Sequence, residues 1–181
     1  GFIMQPFTAF AVEIIKPGGE NLINNGVANI WADKVVDKTA INVFNKFNLS
    51  ANEIANMYFG LKGTEHNSAN LVNFVNDRID INGTVNAIQN SQIGGNLFFL
   101  SKEGMAVGKS GVINTGSLYV MTPVERIYDI TSPEHNYSYE ALKGTFDLGS
   151  EADINTALNR MQALNIPLNA SGTISVLGKV N

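Results

Sequence analysis

The chain has 181 residues, a formal net charge of −4 and only 15% charged side chains. That balance supplies no basic footprint for nucleic acid, and no apolar run approaches the ~18 residues that span a bilayer as a helix. Polarity comes instead from 24 asparagines, which with 17 glycines favour turns over helices. The length suffices for one domain with a real core. Cysteine is absent, so no disulfide framework shapes the fold.

In chain order, the apolar start ends in Ala9-Phe10-Ala11, a small-x-small pattern. Residues 1–11 read either as the remnant of a secretory signal or as a first strand capping one end of the fold. Residues 12–15 predict a short strand and Lys16-Pro17-Gly18-Gly19 a turn. Residues 22–32 place Asn24-Asn25-Gly26 before Val27, Ile30 and Trp31. Residues 42–59 carry Phe44-Asn45, Phe47-Asn48 and Ala55-Asn56. Between them, Ser50 and Glu53 have the spacing of a capping box, which would open a short helix; strand and loop is the preferred reading and the helix its alternative.

Weak internal repetition follows. Ile81-Asn82-Gly83-Thr84-Val85-Asn86-Ala87 alternates apolar and polar residues, and Ala170-Ser171-Gly172-Thr173-Ile174-Ser175-Val176 repeats the pattern. Residues 22–32 and 113–118 are looser relatives. Each unit reads as one wall of a β-solenoid coil, with corner asparagines stacking on those of the next coil. A β-sandwich would also alternate and turn at Asn and Gly.

Residues 94–122 organise the rest. The run Leu97-Phe98-Phe99-Leu100 meets a turn at Ser101-Lys102-Glu103-Gly104. Short strands at 105–107, 112–114 and 117–122 then alternate with glycine corners, as stacked coils require. Residues 124–149 show no regular pattern and read as an excursion from the main body. Residues 151–165 predict a helix, with Ser150 and Asp153 as a capping pair. Its apolar stripe, Ile154, Leu158, Met161 and Ala163-Leu164, suits packing on the β body, and Pro167 ends it. From Leu168 to Val180 the coil pattern returns and breaks off mid-pattern, which leads us to expect further coils in a longer protein.

Several chemical readings fail on spacing. Residues 104–110 hold three residues between their glycines where a phosphate-binding loop needs four. Residues 77–83 resemble a calcium loop, but Arg78 occupies a ligand position and Gln89 replaces the closing carboxylate. His66 and His135 sit in unlike contexts and make neither a metal site nor a triad. Asp77, Asp80, Arg78 and Lys109 could serve a β-helix carbohydrate-active enzyme, yet a solvated charged turn is the plainer reading. No catalytic residue, metal or cofactor is expected.

Residues 94–122 also resemble the core of the haemagglutination-activity domain of filamentous haemagglutinin-like proteins, the N-terminal module of two-partner secretion exoproteins. That family shows an apolar strand, Asn-Pro-Asn-Gly, an apolar pair, an aromatic, Gly-Lys, then Val-Asn-x-Gly-Gly-Leu. Here Leu97 to Leu100 hold the strand, and Gly104, Gly108, Lys109, Asn114, Gly116 and Leu118 fall at matching spacing. Ser101-Lys102-Glu103 replaces Asn-Pro-Asn, a departure similar to some leukotoxin-like filamentous adhesins. Phe44, Asn45, Phe47, Asn48, Ala55 and Asn56 match the family's Phe-Asn-x-Phe-Asn segment and its Ala-Asn end.

The resemblance implies an all-β fold, a right-handed parallel β-helix with extra-helical strands and one short amphipathic α-helix near residues 151–164. Residues 12–181 would form the secretion domain of a large filamentous adhesin or leukotoxin and seed β-helix folding outside the cell. The implied partners are an outer-membrane β-barrel transporter with periplasmic POTRA domains, the C-terminal remainder of the same exoprotein, and a host-cell surface. The route runs through the periplasm and outer membrane to a secreted or cell-surface location. A chain lacking cysteine suits passage through an oxidising periplasm and a narrow pore. Recognition is implied for Phe44, Asn45, Phe47, Asn48 and Asn56, and for Leu100, Ser101, Lys102, Glu103 and Gly104. The structural alternative makes the phenylalanines core and the asparagines corner bonds. A host-binding adhesin module is the runner-up function.

Overall fold

Runs such as Leu71-Val72-Asn73-Phe74-Val75 and Leu97-Phe98-Phe99-Leu100 do not alternate, so both faces of their sheet must be covered. The computed structural model describes residues 13–123, 128–129, 132–136, 138–163 and 173–181, and meets that demand with a parallel β-solenoid. Three short strands lead in: β1 (Glu13–Ile15), β2 (Val27–Ile30) and β3 (Lys34–Val36). The first coil is β4 (Thr39–Phe44), β5 (Lys46–Leu49) and β6 (Ile54–Tyr58). The second is β7 (Asn70–Val75), β8 (Ile79–Ile81) and β9 (Thr84–Gln89), with β10 (Gln92–Ile93) folding back on β9. The third is β11 (Asn96–Leu100), β12 (Gly104–Val107) and β13 (Val112–Asn114). A fourth begins with β14 (Ser117–Met121) and departs through β15 (Tyr128–Asp129), β16 (Ser132–Asn136), α1 (Tyr139–Leu148) and α2 (Glu151–Ala163). It resumes in β17 (Thr173–Val176) and β18 (Lys179–Val180).

Equivalent strands stack into three walls. Wall A is β1-β5-β8-β12-β17, wall B is β2-β6-β9-β13-β18, and wall C is β3-β4-β7-β11-β14. Successive coils pair in parallel, whereas β1 on β5 and β3 on β4 are antiparallel. The first coil spends 31 residues from Thr39 to Asn70 and the second 26 from Asn70 to Asn96. Walls therefore recur at unequal sequence intervals, which is why the expected repeats align only in part. Val27 and Thr84 do share a wall-B position, each paired to Ile54. Ile174 instead stacks on Met105 and Ile79 in wall A, so residues 173–176 do not repeat 84–87 structurally.

The lumen holds the alternate apolar residues, among them Phe44, Phe47 and Phe99, all fully buried. Phe47 contacts Phe44 and Phe99 edge-on, each at 5.3 Å between ring centroids. Asn42 and Asn73 are fully buried too, and are satisfied in series. Asn42 Nδ2 donates to Asn73 Oδ1 at 3.1 Å, and Asn73 Nδ2 to the Phe98 carbonyl at 3.0 Å.

Wall C is apolar on its outer face as well, through Ile41, Val72, Phe74, Phe98 and Leu100. Tyr139, Leu142 and Phe146 of α1 and Ile154, Leu158 and Met161 of α2 cover it. Each such side chain contributes about 1.5–3 kcal/mol by leaving water. The expected helix near 151–164 is present, and its cap is reciprocal: Ser150 Oγ accepts from Asp153 N at 3.3 Å while Asp153 Oδ2 accepts from Ser150 N at 3.2 Å. Ile154, Leu158 and Met161 of the stripe pack on the β body as expected.

One expectation about the helices needs correction. Among the described residues there are two helices rather than one, because α1 forms where no element was predicted. Gly144 lowers its propensity by about 1 kcal/mol, but the need to cover wall C outweighs that. Ser50 to Glu53 is a turn leading into a strand, the preferred reading of the sequence, and not a helix start. Glu53 N donates to the Ser50 carbonyl at 3.1 Å, Asn52 has φ 69°, and β6 follows at once. The readings placed on residues 1–11, Leu164 and Pro167 lie outside the described residues.

Candidate functional site

The two segments singled out in the sequence meet at one corner, where wall C turns into wall A. Asn45 follows β4, Asn76 and Asp77 follow β7, and Ser101, Lys102 and Glu103 follow β11. The carboxamides chain across coils: Asn76 Nδ2 donates to Asn45 Oδ1 at 2.8 Å, and the Tyr139 hydroxyl donates to Asn76 Oδ1 at 2.8 Å. Ser101 Oγ donates to the Asp77 carbonyl at 2.8 Å and accepts from Glu103 N at 3.2 Å. Backbone bonds run alongside, from Asn76 N to Phe44 O and from Asp77 N to Asn45 O. Gly104 closes the turn with φ 92°, and a Cβ there would sit 2.0 Å from the Thr173 carbonyl oxygen.

Of the ten residues proposed for recognition, Asn45, Ser101, Lys102, Glu103 and Gly104 share this corner. Phe44 and Phe47 lie beneath it in the lumen, and Lys16 Nζ stands 4.3 Å from the centre of the Phe44 ring. Leu100 faces outward but is buried under the helices. Ser101 is buried and Glu103 exposed; Lys102 lies 5.4 Å from the Tyr139 ring centre and 3.9 Å from Glu140. Asn48 and Asn56 are elsewhere. Asn48 stands on wall A between Glu13 and Asp80, its Oδ1 buried without a hydrogen-bond partner. Those carboxylates each face a base, Glu13 with Lys46 at 3.6 Å and Asp80 with Arg78 at 3.4 Å. The sequence reading missed Asn76, the middle rung, and Tyr139, which docks α1 onto the corner.

Asn56 belongs to a second stack along wall B. Asn56, Asn86, Asn114 and Asn181 donate Nδ2 to Oδ1 of Asn29, Asn56, Asn86 and Asn114 in turn, at 2.9–3.1 Å. Asparagine stacking was expected at corners; here it also runs mid-strand, on the outward positions between buried alternates such as Ala55 and Met57. Each donor points toward the β2 end.

Burial first, and then the Glu140 and Asp147 carboxylates, hold the Tyr139 phenol well above its ordinary range. Burial lowers the Lys16 ammonium despite its bond to Asp33. Among the described residues, no grouping of His, Asp and Glu could hold a metal ion. The polar groups of the corner are satisfied by one another and by backbone, so the arrangement acts as a clamp between coils. Comparison with protein-family models, curated proteins and solved structures finds no match to this chain.

Proposed function

We propose that this chain is the secretion-targeting domain of a large filamentous adhesin or leukotoxin-like exoprotein. Its transporter is an outer-membrane β-barrel with periplasmic POTRA domains, and the folded domain seeds a longer β-helix at the cell surface. The β-solenoid is compatible with a β-helix adhesin-like domain. One observation carries the reading: Asn45 of the first resembling segment and Ser101 to Gly104 of the second, far apart in sequence, meet at one corner, and several of the matched residues are buried around it. Phe44, Phe47, Leu100, Ser101 and Gly104 are inaccessible once folded. A receptor that reads them must meet the chain unfolded, and folding then withdraws them. That sequence of events releases the chain from its receptor without nucleotide hydrolysis, because solenoid coils add by nearest-neighbour contact.

Binding separates the states. Freshly diluted, unfolded chain should be captured by the transporter's periplasmic domains, and pre-folded chain far more weakly. Equal capture of both forms, or unimpaired secretion after deletion of residues 44–56, would overturn the proposal.

A further inference from the structure

The two ends of the solenoid differ. At one, β1 and β3 run antiparallel and close walls A and C. At the other, β14, β17 and β18 are the outermost strands. The inward column Phe47, Ile79, Met105 ends on Ile174, the column Leu49, Ile81, Val107 ends on Val176, and Ile113 lies under Val180. The lower members are at most 1% exposed, whereas Ile174, Val176 and Val180 are 38%, 47% and 43% exposed.

The wall-B ladder gives this face a chemical polarity. Asn181 donates to Asn114, so its Oδ1 is the acceptor turned toward the open side. Two copies meeting open end to open end would oppose acceptor to acceptor. A second copy stacked head to tail would meet strands of reversed direction on walls A and C of the closed end, so parallel pairing could continue on wall B alone. A parallel coil that carries its own asparagine supplies the missing donor.

We propose that this face receives one further parallel β-coil, and that the asparagine ladder sets its register. The incoming coil places apolar residues over Ile174, Val176 and Val180 and an asparagine over Asn181. The apolar columns cannot choose the register alone, because side chains alternate with period 2. A slip of two residues keeps every apolar residue inward but moves the asparagine off the ladder. This rests on the domain being the seed of a longer solenoid.

The test extends the full chain after Asn181 with a Thr-Gly turn and a copy of residues 96–114, so that the copied strands fall on β14, β17 and β18. Amide hydrogen exchange at Ile174, Val176 and Val180 should slow on the order of tenfold or more. Alanine in place of the asparagine that copies Asn114, or Asn181→Ala, should remove about fivefold of that protection, one hydrogen bond's worth. A copy whose last strand reads Asn-Ile-Val rather than Val-Ile-Asn should protect no better than the alanine copy. Unchanged exchange on extension, or equal protection by the rearranged copy, overturns the proposal. So does sedimentation of the unextended chain as a dimer with these amides protected. Capture of the unextended, unfolded chain by the transporter's periplasmic domains is read separately, so failure of the secretion role is distinguishable.

Discussion

Asn86→Ala removes the central rung of the wall-B ladder. Asn86 donates to Asn56 at 3.1 Å and accepts from Asn114 at 2.9 Å, so two carboxamide bonds are lost. At about 1 kcal/mol each, the cost is about 2 kcal/mol, or a fall in Tm of roughly 4–8 °C for a chain of this size. Asn29→Ala, at the closed end, removes one exposed bond and should cost about half as much or less. Asn86→Asp separates donation from acceptance. The new carboxylate still accepts from Asn114 but turns an oxygen toward Asn56 Oδ1. Its ionised form is disfavoured on folding, so its folded pKa is raised; the deficit should shrink as pH falls through that value and grow as pH rises. The single tryptophan, Trp31, stacks on Tyr58 with ring centroids 5.1 Å apart, and reports unfolding by fluorescence in urea. If Asn86→Ala costs no more than Asn29→Ala, the ladder does not bind coil to coil and the register argument fails with it.

Other outcomes follow from the same geometry. Gly104→Ala should cost far more than the ~1–2 kcal/mol of left-handed backbone alone, because the methyl meets the Thr173 carbonyl at 2.0 Å. Gly63→Ala, at φ 79° in open space, should cost only that much; equal urea midpoints would refute the distinction. Phe47→Ala should cost about 3–5 kcal/mol, since the ring is fully buried between Phe44 and Phe99. Tyr139→Phe loses the bond to Asn76, about 1 kcal/mol near neutrality. The folded pKa of Tyr139 is raised, so its stabilisation is present below the ordinary phenol range and lost as pH rises beyond it. Alkaline titration followed by circular dichroism should therefore show a shallower loss in the Phe variant. At Glu151, a hydrogen bond with Asp37, and secondarily its charge, raises the carboxyl pKa, so this link between α2 and the β3–β4 turn weakens as pH rises. Glu151→Gln should keep the link and flatten that dependence in thermal melts between acidic and neutral pH.

Much of the solenoid is legible in the chain itself. Glycine corners, short strands and the apolar alternation of 81–87 all point to it. The non-alternating runs in β7 and β11 even signalled that something must cover wall C, although α1 gives no strong local sign of being the cover. Four of the ladder asparagines are visible as Gly-x-apolar-Asn, at Gly26 to Asn29, Gly83 to Asn86, Gly111 to Asn114 and Gly178 to Asn181. Their stacking is not visible, because coil length changes from 31 to 26 residues and 51 residues separate β14 from β17 in the fourth coil.

Local chemistry alone determined where the backbone turns and which residues must leave water, since those preferences act within a few residues. Only the tertiary structure decided which turns lie on one another. Asn45, Asn76 and Ser101 become neighbours because parallel pairing brings equivalent corners within one strand spacing, about 4.8 Å. A chain with unequal loops encodes that adjacency only in the closed ladder of hydrogen bonds.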